Sequence, residues 1–147
     1  MASVAEQMRA VEADTLAAIF FTRCRQFQVP GWFHREKKIA PPPAPQFVYD
    51  LHHEEARVLI ELNGGLYMAK GAHNTAESIN RDARKVNFAQ YMGFASLIFT
   101  NIMLDEGKTD PAEVFIPLAE FIKIRMELVR ELNEPQIPEG RRGIGVF

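Results

Sequence analysis

The stretch Phe47-Val-Tyr-Asp50-Leu-His-His-Glu-Glu-Ala-Arg-Val-Leu-Ile-Glu61-Leu-Asn63 decides how this chain is read. Its two ends are apolar, with Phe47, Val48 and Tyr49 on one side and Val58, Leu59 and Ile60 on the other. β-Branched and aromatic runs of this kind are the composition of strands. Strands are expected over 46–51 and 57–63, with the polar residues 52–56 as the turn of an antiparallel hairpin. Successive side chains of a strand point to opposite faces, so Glu61 and Asn63 share one face while Ile60 and Leu62 share the other. A hairpin folded symmetrically about the junction of Glu55 and Ala56 sets Asp50 directly opposite Glu61. Like charges so placed destabilise a sheet. A divalent cation removes the conflict, because Mg²⁺ takes hard oxygen ligands, two or three from protein and the rest from water.

Upstream of the hairpin, Ser3 and Glu6 have the spacing of a capping box, and a first helix is expected from there to the mid-twenties. Met8, Leu16, Ile19 and Phe20 form its apolar stripe, and Glu12 falls on that stripe, four residues from both Met8 and Leu16. Pro30 and Gly31 end this section; a further strand is expected over 32–39, and Pro41, Pro42, Pro43 and Pro45 make a stiff connection that cannot sit in a central strand.

Downstream, Gly64 and Gly65 stop the second hairpin strand, and a loop through Lys70, Gly71 and His73 follows. Ile79, Ala83, Val86 and either Ala89 or Gln90 then recur at helical spacing, with Gly93 placed to end the helix. Residues 94–100 read as a buried strand. Asp110, Pro111 and Glu113 open a last helix with Val114, Leu118, Phe121, Ile122, Leu128 and Val129 inward. The expected fold is α/β, a mixed four-stranded sheet flanked by helices, in one domain over 1–134 with a loose tail over 135–147. At 147 residues and 47% hydrophobic, the chain has material for one core and not for two.

The formal charge of −2 excludes a protein whose main task is to coat nucleic acid. Any such contact must come from local patches: His34, Arg35, Lys37 and Lys38; Arg81, Arg84 and Lys85; or Arg141 and Arg142. Cys24 is the only cysteine, which excludes an internal disulfide and a cysteine-type metal site. The longest apolar stretch, 16–21, is too short for a membrane span, and a cytoplasmic protein without a membrane partner is expected.

With these residues in hand, the chain resembles the PD-(D/E)XK endonucleases. Asp50, a short interval, and Glu61-Leu-Asn63-Gly-Gly65 at the end of the next strand are similar to that core motif. His73, then Arg81-Asp82-Ala-Arg-Lys85-Val-Asn87 and a strand ending Phe99-Thr100, resembles the small phage and bacterial branch akin to very-short-patch repair endonucleases. The resemblance covers roughly 29–104. It implies a restriction-endonuclease-like core and metal-dependent hydrolysis of phosphodiester bonds in nucleic acid, DNA before RNA, in a cytoplasm that is the host's if the source is a phage. It implies Mg²⁺ or Mn²⁺ held by Asp50 and Glu61, with Glu12 brought in from the first helix. It further implies Lys85 or His73 beside the reacting phosphate or its attacking water, and Arg81, Arg84, Arg35 and Lys37 along the nucleic-acid backbone.

Two departures stand out. Asn63 occupies the third motif position, usually Lys or Asp; its amide oxygen can ligate a metal but brings no charge and cannot act as a base. Lys85 is the natural replacement. Ile98 stands where relatives tend to carry an arginine. A rival grouping of His52, His53, Asn63, His73 and Asn74 has the residue types of the ββα-metal nucleases, but it leaves Glu61 and the helix after it without a role. A rival of another class is a non-catalytic binding module on a nuclease fold. A homodimer is expected if two strands are cut by one small site, with the first and last helices as the candidate surfaces.

Overall fold

Residues 1–63 and 76–135 are described by a computed structural model. The expected loop with Gly64, Gly65, Lys70, Gly71 and His73, together with Asn74, and the tail with Arg141 and Arg142 from residue 136 on, lie outside the described residues. In chain order the elements are α1 (Val4–Gln26), β1 (Phe33–Lys37), β2 (Tyr49–His53), β3 (Val58–Asn63), α2 (Ala76–Tyr91), β4 (Ala95–Thr100), α3 (Asn101–Leu104) and α4 (Pro111–Asn133). The sheet runs β1-β2-β3-β4; the first three strands are antiparallel neighbours, and β4 lies parallel to β3. A parallel neighbour requires a crossover, and α2 lies in it.

The α1 start is as the sequence implies: Ser3 Oγ accepts from the Glu6 amide at 3.2 Å, and the Glu6 carboxylate accepts from the Ser3 amide at 2.6 Å. Of its expected stripe, Leu16, Ile19 and Phe20 face the core and Met8 does not. Burial begins only at Leu16 and continues through Ala17, Phe20 and Cys24, while Met8 is exposed. The sheet packs on the second half of the helix, so none of the described residues covers Met8.

The β2–β3 turn also differs from expectation. His52 and His53 belong to β2 and are buried, and the turn occupies residues 54–57. Burying His53 is tolerated because both ring nitrogens are used: Nδ1 accepts from the Ala56 amide at 3.1 Å, which makes Nε2 the protonated nitrogen that donates to the Pro30 carbonyl at 2.8 Å. A β-carbon at Gly31 would fall on that imidazole. The turn is further tied down from α4, where Arg125 donates to the carbonyls of Ala56 at 3.1 Å and Arg57 at 3.2 Å. The register is nonetheless the expected one: Leu51 pairs with Ile60, His52 with Leu59 and His53 with Val58.

Two apolar clusters sandwich the sheet. The larger takes Leu16, Phe20 and Cys24 from α1, Phe33, Leu51, Val58, Ile60 and Phe99 from the strands, and Phe115, Leu118 and Ile122 from α4. The smaller joins Tyr49 and Leu59 to Ala89 of α2. On α2 the inward residues are Lys85, Val86, Phe88 and Ala89, not Ile79, Ala83 and Gln90, which are exposed. On α4 the buried residues include Phe115, and Leu128 is exposed where it was expected inward. In β4, Ile98 faces out as well. Among the described residues no helix is long and apolar enough to cross a membrane.

Candidate functional site

Strict alternation would put Tyr49 and Leu51 on one face of β2, yet Leu51 packs in the larger cluster and Tyr49 in the smaller. The break falls at Asp50, where the β2–β3 pairing stops at Leu51 and Ile60. The Asp50 side chain takes over one ladder position: its Oδ2 accepts from the Leu62 amide at 2.8 Å. Across β2, the register of β1 continues past Glu36, a residue in the left-handed region at φ 54° that favours glycine.

Glu61 projects from β3 toward α2, on the same side as Leu59, and pairs across β4 with Ile98. Its Oε1 accepts from Lys85 Nζ at 2.8 Å and makes a long 3.4 Å contact with the Asp50 amide. Both partners of the ion pair are mostly covered, with side chains 22% and 16% exposed. Burial, and then the negative charge of Asp50, push the Glu61 carboxyl up to about 7 despite the Lys85 ammonium. Asp50 Oδ1 and Glu61 Oε2 are engaged by neither of these bonds.

Tyr49 was read in the sequence only as an apolar strand residue, and it proves to hold Lys85. Its hydroxyl donates to the Lys85 carbonyl at 2.7 Å, and the Lys85 ammonium lies 5.0 Å from the centre of its ring. Burial, with Glu61 as the second cause, raises its hydroxyl to about 12, so it stays a donor. The signal available was a tyrosine fully inside an apolar run, since its hydroxyl needs a partner when buried.

The structure therefore brings together Asp50, Glu61 and Lys85, the first two on adjoining strands and the third one helix away. Asn63 ends β3 in register with Thr100. Glu12 is half-buried on α1, one turn before Leu16. It does not complete a metal cage with the pair: among the described residues no three His, Cys, Asp or Glu side chains gather closely enough to hold a metal. Arg81 and Arg84 are exposed on α2, the former one turn from Lys85; Arg35 and Lys37 are exposed on β1, and Arg35 is bonded to Asp14 at 2.7 Å. His73 lies outside the described residues. The rival histidine grouping loses a member, because neither nitrogen of His53 is free. A hollow of about 260 Å³ between α1 and β1, lined by Phe21, Trp32 and Phe33 among others, contains no carboxylate and is not this site.

The donor chemistry of the pair fits a hard divalent cation: two adjacent carboxylates, each with an oxygen that the bonds above leave open among the described residues, and a Glu61 carboxyl raised first by burial and then by the charge of Asp50. The same shift has a stability consequence. A carboxyl raised from 4.5 to about 7 binds more protons folded than unfolded in that window. Its contribution is thus fully present below 4.5 and is lost as pH rises through about 7. The metal-free protein is expected to lose this increment of stability between pH 5 and 8, and Glu61→Gln to remove the slope. Denaturant melts of the two proteins across that range check it; a stability difference independent of pH would contradict the assignment.

No protein-family model matches the chain, and neither a curated protein nor a solved structure matches it.

Proposed function

We propose that the protein is a metal-dependent endonuclease, hydrolysing phosphodiester bonds in nucleic acid, with DNA as the favoured substrate. The observation that carries this reading is the Asp50–Glu61–Lys85 group: two carboxylates on adjoining strands, with Glu61 bonded to a lysine that Tyr49 holds. A mixed four-stranded sheet flanked by helices, the coarse architecture expected with the PD-(D/E)XK resemblance, supports it.

Asp50 and Glu61 would hold Mg²⁺ or Mn²⁺, with the Asn63 amide oxygen as a neutral addition. When bound, such an ion polarises a phosphate oxygen and makes a bound water acidic. The chain's own residues do the rest. Lys85, released from part of its bond to Glu61, places a positive charge where the phosphate gains negative charge. Tyr49 keeps that ammonium from swinging away. Arg81 and Arg84 on the exposed side of α2 engage flanking phosphates, and Arg35 and Lys37 do so along β1.

A second reading has its own support. Each carboxylate already has a partner within the chain, Lys85 for Glu61 and the Leu62 amide for Asp50, and Asn63 lacks the charge of the usual third residue. A binding module on the same fold would look like this. Cleavage of duplex, single-stranded and flapped DNA and of RNA, with Mg²⁺ or Mn²⁺ against EDTA, separates the two. Orienting or acid–base groups contribute about 10²–10⁴-fold, so the natural protein should cut measurably without a motif lysine, and Asn63→Asp or Asn63→Lys should retain or raise the rate. No cutting by the natural protein, with activity gained in Asn63→Lys, would make it the binding module.

A further inference from the structure

We infer that the hollow between α1 and β1 binds a two-ring aromatic carboxylate, with its rings among Phe21, Trp32 and Phe33 and its charge on Arg25. The hollow measures about 260 Å³, and Cys24 and Val29 complete its apolar walls. An apolar cavity of about 150 Å³ takes up one benzene ring, so two fused rings have room here. Phe21 and Trp32 stack at 26° with their centroids 6.3 Å apart, yet Trp32 is 65% exposed. An indole held in place against one ring still has apolar area for another ring to cover. The walls are fixed by the chain itself. After α1 ends, the Val29 amide donates to the Cys24 carbonyl at 2.9 Å, and His53 holds the Pro30 carbonyl at 2.8 Å. Gly31 then turns the chain at φ 78°, where a β-carbon would fall on that imidazole. A site built before its ligand arrives loses little freedom on binding.

Charge identifies the ligand class. Arg25 is the one charged residue of the lining. Arg23, two positions earlier, is committed to Glu106 at 2.7 Å and Gln26 at 2.8 Å, whereas the Arg25 guanidinium has no partner among the described residues. One guanidinium at an apolar hollow matches a monoanion with an apolar body, and its fork suits the two oxygens of a carboxylate. The negative end of α1 would oppose an anion, but its last carbonyls are occupied: those of Arg23, Cys24 and Arg25 accept from the amides of Phe27, Val29 and Gln28. Cys24 is part of the wall and not a nucleophile, since burial raises its thiol to about 12 and keeps it protonated. The hollow lies on the α1 side of the sheet and Glu61 on the α2 side, so none of this depends on the cleavage reading.

Trp32 is the only tryptophan, so its indole N–H resonance in proton NMR reads the hollow directly. Naphthoate added to the full chain should shift that resonance and bind once per chain by titration calorimetry. Naphthamide, the same rings without the charge, should bind about tenfold more weakly, the scale of one charge-assisted contact. Decanoate, the same charge on a flexible chain, should also bind more weakly. Arg25→Gln should bring naphthoate down to the affinity of the amide and leave the amide unchanged, while Trp32→Ala should weaken both. Arg25 and Trp32 are exposed, so both variants should melt close to the natural protein. No binding of naphthoate at millimolar concentration, equal affinity for naphthoate and either comparison compound, or naphthoate binding untouched by Arg25→Gln would each overturn the inference.

Discussion

Glu61→Ala is expected to abolish metal-dependent cleavage, a loss of about 10³-fold or more, the scale of several kcal/mol of metal-derived charge stabilisation. Asp50 would remain as a single charged ligand, and the Lys85 ammonium would lose its 2.8 Å partner. The fold should survive. Removing one partner of this mostly covered ion pair leaves the Lys85 ammonium uncompensated and costs stability, and Glu61→Gln, which keeps an oxygen for that ammonium, should cost less. The alanine variant should therefore stay folded but melt below the natural protein, bind no Mn²⁺ by titration calorimetry, and cut nothing above background. Lys85→Ala should behave differently, with metal binding kept and the rate strongly reduced. If Glu61→Ala cuts as fast as the natural protein, Asp50, Glu61 and Lys85 are a structural cluster and the catalytic centre lies elsewhere.

The largest effect on stability is expected at Phe20. It is fully buried, and its ring meets Phe33 of β1 at 5.1 Å, Phe99 of β4 at 5.3 Å and Phe115 of α4 at 5.6 Å between centroids. One side chain thus joins both edge strands to two helices. Truncation of such a ring costs about 3–5 kcal/mol through lost transfer energy and a cavity that three other rings cannot fill without leaving their rotamers. Against a typical domain stability of about 5–15 kcal/mol this leaves a marginal protein. Phe20→Ala should shift the urea midpoint down sharply with little change in slope, and Phe20→Leu should recover much of the loss. An equal, small shift for both would mean that the ring cluster contributes little beyond its area.

Much of this was readable from local chemistry. The capping box at Ser3, the Asp110–Pro111 start of α4 and the stop at Gly93 each depend on a few neighbouring residues, and each stands where expected. The opposition of Asp50 and Glu61 was readable because a symmetric hairpin keeps its register even when the strands gain or lose a residue at the turn. Long-range partners were not readable. That His53 is a core residue depends on the Pro30 carbonyl and the Ala56 amide, and only the former lies far off in sequence, beyond the reach of any pattern. That Met8 is exposed depends on how far the sheet extends under α1. Tyr49 escaped notice for a related reason, since its partner lies 36 residues away on α2.

The sheet order has one more consequence, for how the molecule avoids sticking to itself by the wrong surface. Among the described residues β1 has a neighbour on one side only, so its outer edge offers amides and carbonyls to an extended chain that passes. Such edges seed aggregation when they are long, flat and apolar. This one is five residues long, carries His34, Arg35, Glu36 and Lys37 exposed in succession, and is bent by the left-handed backbone of Glu36. A second strand laid along it would have to bury charges and follow a kink. The same side chains that offer contacts to a polyanion also deny the edge to another polypeptide, and Arg35 and Lys37 have that second use whatever the protein binds.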